Sequence, residues 1–99
     1  NVMGPVKAAL ECCVRYLAHE LGPKDIRVHA ISPGPIRTRA ASGINEFDEL
    51  LSTAETRAPR HQLVTIKDVG IATAALATPA GHLITGNTIY VDGGYHIMG

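Results

Sequence analysis

Apolar side chains recur at helical spacing from the start of the chain. Val6, Leu10, Val14, Leu17 and Leu21 follow one another at intervals of four, four, three and four, which puts them on one face of a helix over residues 2–21. Ala8, Ala9, Cys12, Cys13 and Tyr16 keep its other faces small or apolar. A helix apolar on most sides is expected to be buried on most sides, here against a sheet and against another subunit. Gly22-Pro23 ends it.

The next run, "IRVHAI" over residues 26–31, reads as a short strand. Ser32-Pro33-Gly34-Pro35 then stops it, because proline has no N–H to donate to a ladder. A second helix is predicted over about residues 45–57. Phe47, Leu50, Leu51 and Ala54 would share its apolar face, and Glu46, Asp48 and Glu49 suit its positive N-terminal end. Pro59 closes this section. Thr65, with Asp68 three residues on, reads as a capping box for a third helix ending near Leu76. Residues 79–81 break the chain again. Thr88–Val91 is a second short strand, followed by the turn Asp92-Gly93-Gly94.

Two apolar strands separated by helices favour an α/β fold with a parallel sheet covered on both faces. Two strands are too few for such a sheet to stand alone. The other strands are expected from an N-terminal half that precedes this segment, so that residues 1–99 form the C-terminal part of a single domain.

Composition narrows the function. The 99 residues are 45% hydrophobic and 18% charged, ordinary for a soluble globular protein. Net charge is zero, so there is no electrostatic footprint for nucleic acid or an anionic membrane. No apolar run is long enough to span a bilayer and no signal peptide is visible, which makes the cytoplasm the expected location. Cys12 and Cys13 are adjacent and cannot staple the fold to each other. The five histidines show no metal-ligand spacing and read as surface or hydrogen-bonded groups.

Candidate chemistry sits where open α/β sheets bind ligands, beyond the carboxyl end of a strand. "ISPGPIRT" occupies that place. Gly34 would let backbone approach a ligand, the flanking prolines fix the turn, and Thr38 could donate to a phosphate or amide. From these residues alone, a ligand loop and a plain proline-glycine turn are equally good readings. Lys7 alone reads as a solvated lysine paired with Glu11 one turn on.

A longer match changes that balance. "KAALE", "VRYLAHELGPKDIRVHAISPGPIRT" and "TGNTIYVDGGY" together resemble the C-terminal half of the short-chain dehydrogenase/reductase family, over essentially the whole chain. The resemblance implies a Rossmann-type, doubly wound parallel sheet and a nicotinamide cofactor, NADH or NADPH. The Gly-rich dinucleotide loop would lie in the N-terminal half.

The common branch of that family carries its catalytic tyrosine four positions before the lysine, where this chain has Met3. "NVMGPVK" and "GPIRTRAASGINEF" instead look like the branch of bacterial enoyl-acyl-carrier-protein reductases, whose tyrosine lies seven positions before the lysine. That position is the one just ahead of Asn1. At about 100° per residue, four and seven positions both return to within about 40° of the lysine's face, the longer spacing about one turn farther along the axis. That extra distance suits conjugate reduction, in which hydride reaches the β-carbon while charge develops on the more distant carbonyl oxygen.

The resemblance implies that Lys7 is catalytic, bonding the nicotinamide ribose and stabilising developing negative charge. It implies that Pro33, Gly34, Pro35, Ile36 and Thr38 line the cofactor, and that Met3, Ala40, Ala41, Ile44 and Phe47 form the acyl wall. Residues 39–57 would be a lid over the substrate, enoyl-acyl carrier protein the substrate, and a homotetramer the assembly. His29 replaces the family's usual asparagine, Pro33 replaces a common alanine, and "APRHQLVT" matches only loosely. A ketoacyl reductase of the same fold is the near alternative, opposed by Met3; a catalytically incomplete, non-catalytic chain is the other. Residues 1–99 alone are expected to be inactive.

Overall fold

The computed structural model describes residues 1–38 and 45–99. In chain order they form α1 (Met3–Leu21), β1 (Ala30–Pro33), α2 (Asn45–Arg57), α3 (Ile66–Ala77) and β2 (Thr88–Val91). Single 3-10 turns lie at Gly22–Lys24, Pro79–Gly81 and Tyr95–Ile97. The order is the one expected from the apolar pattern.

β1 and β2 form a two-stranded sheet. Ala30 N–H donates to Asn87 O at 3.0 Å and Gly34 N–H to Val91 O at 3.2 Å. The partner advances as β1 advances, so the pair is parallel. β1 is shifted toward its C-terminal end relative to the expected 26–31, and it includes Pro33. The donors facing β2 are at even-numbered positions of β1, so Pro33, one residue out of phase, would have aimed an N–H at the opposite edge. The proline costs no bond to β2, and pairing continues to Gly34.

The chain makes two compact units: Asn1–Ile31 with Ala74–Ile89, and Ser32–Thr73 with Tyr90–Gly99. In the first, α1 buries only Val14 and Ala18, with Leu21 half-buried beside them. Within the described residues the helix is thus covered along one stripe. Val6, Leu10, Tyr16 and Leu17 are exposed, because the described residues supply one covering face and no second. Gly86 (φ +80°) passes Ala18 closely; a Cβ there would stand 3.4 Å from the alanine methyl. The Arg27 guanidinium caps the end of α3, donating to Leu76 O at 2.6 Å and to Ala77 O and Thr78 O at 3.4 Å. Gly81 leaves room for that arm: a Cβ would lie 2.7 Å from Leu76 O and 2.9 Å from Arg27 Nη1.

In the second unit, Leu51, Ala54 and Ala58 are buried at successive spacings of three and four, Leu51 being only 2% exposed. Phe47 extends this stripe and is half-buried. Leu50 does not belong to it and is 44% exposed, since one residue before Leu51 is about 100° around the helix. The capping box forms in full. Thr65 N–H donates to Asp68 Oδ2 at 2.9 Å and Asp68 N–H to Thr65 Oγ1 at 3.1 Å. The amide and hydroxyl of Thr65 hold the Asp68 carboxyl below its ordinary value, and Lys67 adds to this.

Candidate functional site

Lys7 lies in the second turn of α1, exposed, in the first unit. Among the described residues it makes no ion pair, so the pairing with Glu11 suggested by their spacing does not form. Met3, at the start of the same helix, is 52% exposed.

The proline-glycine loop belongs to the second unit. Pro33 ends β1 and is exposed; Gly34, Pro35 and Ile36 are half-buried; Thr38 is exposed. Phe47 lies on α2 in the same unit. Ala40, Ala41 and Ile44, and with them the first part of the expected lid, lie outside the described residues.

Gly34 was expected to let backbone approach a ligand. The close approach visible in the structure is to the chain itself. A Cβ at Gly34 would stand 3.1 Å from Asp92 Cβ, 3.4 Å from Asp92 Cα and 3.5 Å from Val64 Cγ1. A side chain there would press on Asp92 and move it by a few tenths of an ångström, and the loop rests directly on the turn that follows β2.

That turn is held by a buried carboxylate. The Asp92 side chain is 5% exposed. It accepts from Gly94 N–H and His96 N–H, both at 2.9 Å, and pairs with His96 Nδ1 at 3.0 Å. Burial pushes the Asp92 carboxyl up. The His96 bond, the amides of Gly94 and His96, and the imidazole charge together outweigh burial and hold it below its ordinary value. The His96 ring stacks on Tyr90, centroids 3.9 Å apart and 9° from parallel. Gly93 (φ +64°) and Gly94 (φ +90°) make the turn in the left-handed region.

Two open cavities flank the loop's support in this unit. One, of ≈ 370 Å³, is lined by Ile36, Arg37 and residues 63–67. The other, of ≈ 180 Å³, lies between Arg60, residues 62–64, Asp68 and the Val91-Asp92-Gly93 stretch. Arg37 also pairs with Asp48 of α2 at 2.8 Å.

The Asp92–His96 pair escaped the sequence reading. Its signal was present as an acidic residue and a histidine four positions apart around two glycines, but that spacing is too common to stand out. The reading of all the histidines as surface or hydrogen-bonded groups also needs correction at His29. Both of its ring nitrogens are buried with no hydrogen-bond partner among the described residues.

A parallel strand pair with helices between its strands and a proline-glycine loop beyond the first strand is a piece of an α/β fold of the doubly wound kind. The family described as Enoyl-(Acyl carrier protein) reductase matches residues 1–96. The chain belongs to that enoyl-acyl-carrier-protein reductase family. It is 48% identical over 99 residues to the Bacillus cereus NADH enoyl-[acyl-carrier-protein] reductase FabI, covering all of this chain and 39% of the relative. It is 50% identical over 97 residues to the Escherichia coli enzyme of the same name, covering 98% of this chain and 37% of the relative. Among solved structures, the Bacillus cereus reductase with NADP+ and indole naphthyridinone superposes with a TM-score of 0.92 at 47% identity, over all of this chain and 38% of that one. The Anaplasma phagocytophilum reductase in complex with NAD gives 0.90 at 48% identity, with the same coverage. The chain thus spans little more than a third of the relatives it matches.

Proposed function

We propose that the full chain reduces the trans-2-enoyl thioester of acyl carrier protein, taking hydride from NADH. The observation that carries this reading is the family match over residues 1–96, which includes Lys7 and the whole proline-glycine loop. Bound NADH supplies the hydride. The residues present suit its nicotinamide side: Lys7 is unpaired among the described residues, and Thr38 offers an exposed hydroxyl. Lys7 would hold ribose hydroxyls and place positive charge near the oxygen that gains electron density. Pro33, Gly34, Pro35, Ile36 and Thr38 would present backbone and hydroxyl groups to the cofactor. Met3, Ala40, Ala41, Ile44 and Phe47 would wall the acyl chain.

In this reading the tyrosine paired with Lys7 would stand seven positions before it, at the position ahead of Asn1. Both compact units would belong to one Rossmann-type domain whose dinucleotide-binding half lies N-terminal to Asn1. The apolar side chains exposed along α1, Val6, Leu10, Tyr16 and Leu17 among them, suit a buried interface in a homotetramer. A cytoplasmic location follows from the substrate. No helix among the described residues is long and apolar enough to cross a membrane.

The test is NADH oxidation by the full chain with an enoyl thioester and, separately, an acetoacetyl thioester. Turnover of the enoyl substrate is expected, and Lys7→Ala should lower kcat/KM by about a hundredfold or more. Preference for the acetoacetyl substrate, or full activity without Lys7, would overturn the reading.

A further inference from the structure

We propose that Asp92 and His96 are positioning residues for the cofactor loop, holding Gly34 and its neighbours from beneath through the turn after β2. The proposal rests on the functional reading above only for what the loop holds, not for what holds the loop.

The physical chain is short. Gly34 N–H donates to Val91 O at 3.2 Å, and its Cα faces Asp92 so closely that one added carbon would stand 3.1 Å from Asp92 Cβ. Any movement of Asp92 is therefore movement of the surface on which Gly34 sits. Asp92 is fixed in turn by three donors, the amides of Gly94 and His96 and the His96 ring. The ring is itself held flat against Tyr90, two residues ahead of Asp92. Tyr90, Asp92 and His96 thus close the 90–96 segment into a clamp. Beyond it, Arg57 donates to Gly99 O and ties the last residue to α2.

A plain surface turn does not need a buried carboxylate. Burying one is unfavourable unless its acceptor sites are filled, and here they are filled by groups from the segment that the loop rests on. Arg60 and Asp68 line the cavity beside Asp92, yet the donors that fix Asp92 all come from its own turn. The carboxylate serves the shape of that turn.

The experiment compares the full chain with its His96→Gln and Asp92→Asn variants, His96→Gln being the milder change should Asp92→Asn fold poorly. Two quantities are read on folded protein: hydrogen exchange of the peptide spanning residues 31–38, and steady-state constants for NADH and an enoyl thioester. The proposal expects exchange in that peptide to speed up by about tenfold, the scale of one lost charged hydrogen bond. It expects KM for NADH to rise several-fold, with KM for the thioester and kcat within about twofold. Unchanged exchange in residues 31–38 would overturn the positioning role. Faster exchange with an unchanged KM for NADH would overturn its link to the cofactor. A general loss of stability without that selective rise would show a structural role only and overturn it too. If the unmodified chain does not oxidise NADH at all, the functional reading falls, while the exchange comparison still decides whether the clamp holds the loop.

Discussion

Replacing Arg27 by methionine keeps most of its apolar stem and removes the guanidinium from the end of α3. Arg27 Nη1 lies 2.6 Å from Leu76 O, a part-buried carbonyl. Its other two contacts, to Thr78 O and Ala77 O, are at 3.4 Å and exposed. The short bond has a charged donor and contributes about 1.5–3 kcal/mol. The longer pair are near the limit of a hydrogen bond and contribute little. A cation at the negative end of a helix adds about 0.3–1 kcal/mol. The expected loss is therefore about 2–3 kcal/mol, felt first at the last turn of α3 because the carbonyls released are there. Amide exchange in the peptide that spans residues 70–81 of the full chain should speed up by about thirtyfold or more. Arg27→Lys should fall between the two, since an ammonium keeps the charge but cannot fork across successive carbonyls. Exchange in that peptide within about threefold of the unmodified protein would refute the reasoning, and would mean that water replaces the guanidinium at little cost.

Other outcomes follow from the same structure. Leu51→Ala should destabilise the full chain by about 2–5 kcal/mol, since Leu51 is 2% exposed at the centre of the second unit; a denaturation midpoint unchanged from the parent would contradict that placement. Gly34→Ala should cost about 1–3 kcal/mol of overpacking against Asp92 and Val64 and weaken NADH binding more than thioester binding, as titration of each would show. The Asp92 carboxyl is held below its ordinary value, whose reference is 3.8. Its contribution to stability is then fully present above that value and drains away as pH falls below it through the folded value. Denaturant midpoints taken downward from pH 5 should drop less steeply for Asp92→Asn than for the parent, and parallel curves would contradict the assignment.

Much of the local structure could be read from residue order alone, because it depends on neighbours within one turn or one strand. The helical spacing in α1, the Thr65–Asp68 cap, the Gly-Gly turn after β2 and the strand at Thr88–Val91 are all of this kind. The family was legible for a related reason: its lysine, proline-glycine loop and terminal Val-Asp-Gly-Gly stretch each stay contiguous. What tertiary structure decided was which groups meet from distant parts of the chain. The sequence does not show that Gly34 lies against Asp92, or that Arg27 reaches carbonyls some fifty residues away. Nor does it show that Pro33 can sit within β1, because that depends on which edge of the strand faces β2. Periodicity marks the apolar positions of a helix but cannot say how many of its faces find a partner. α1 therefore reads as a buried helix in sequence and, among the described residues, buries a single stripe.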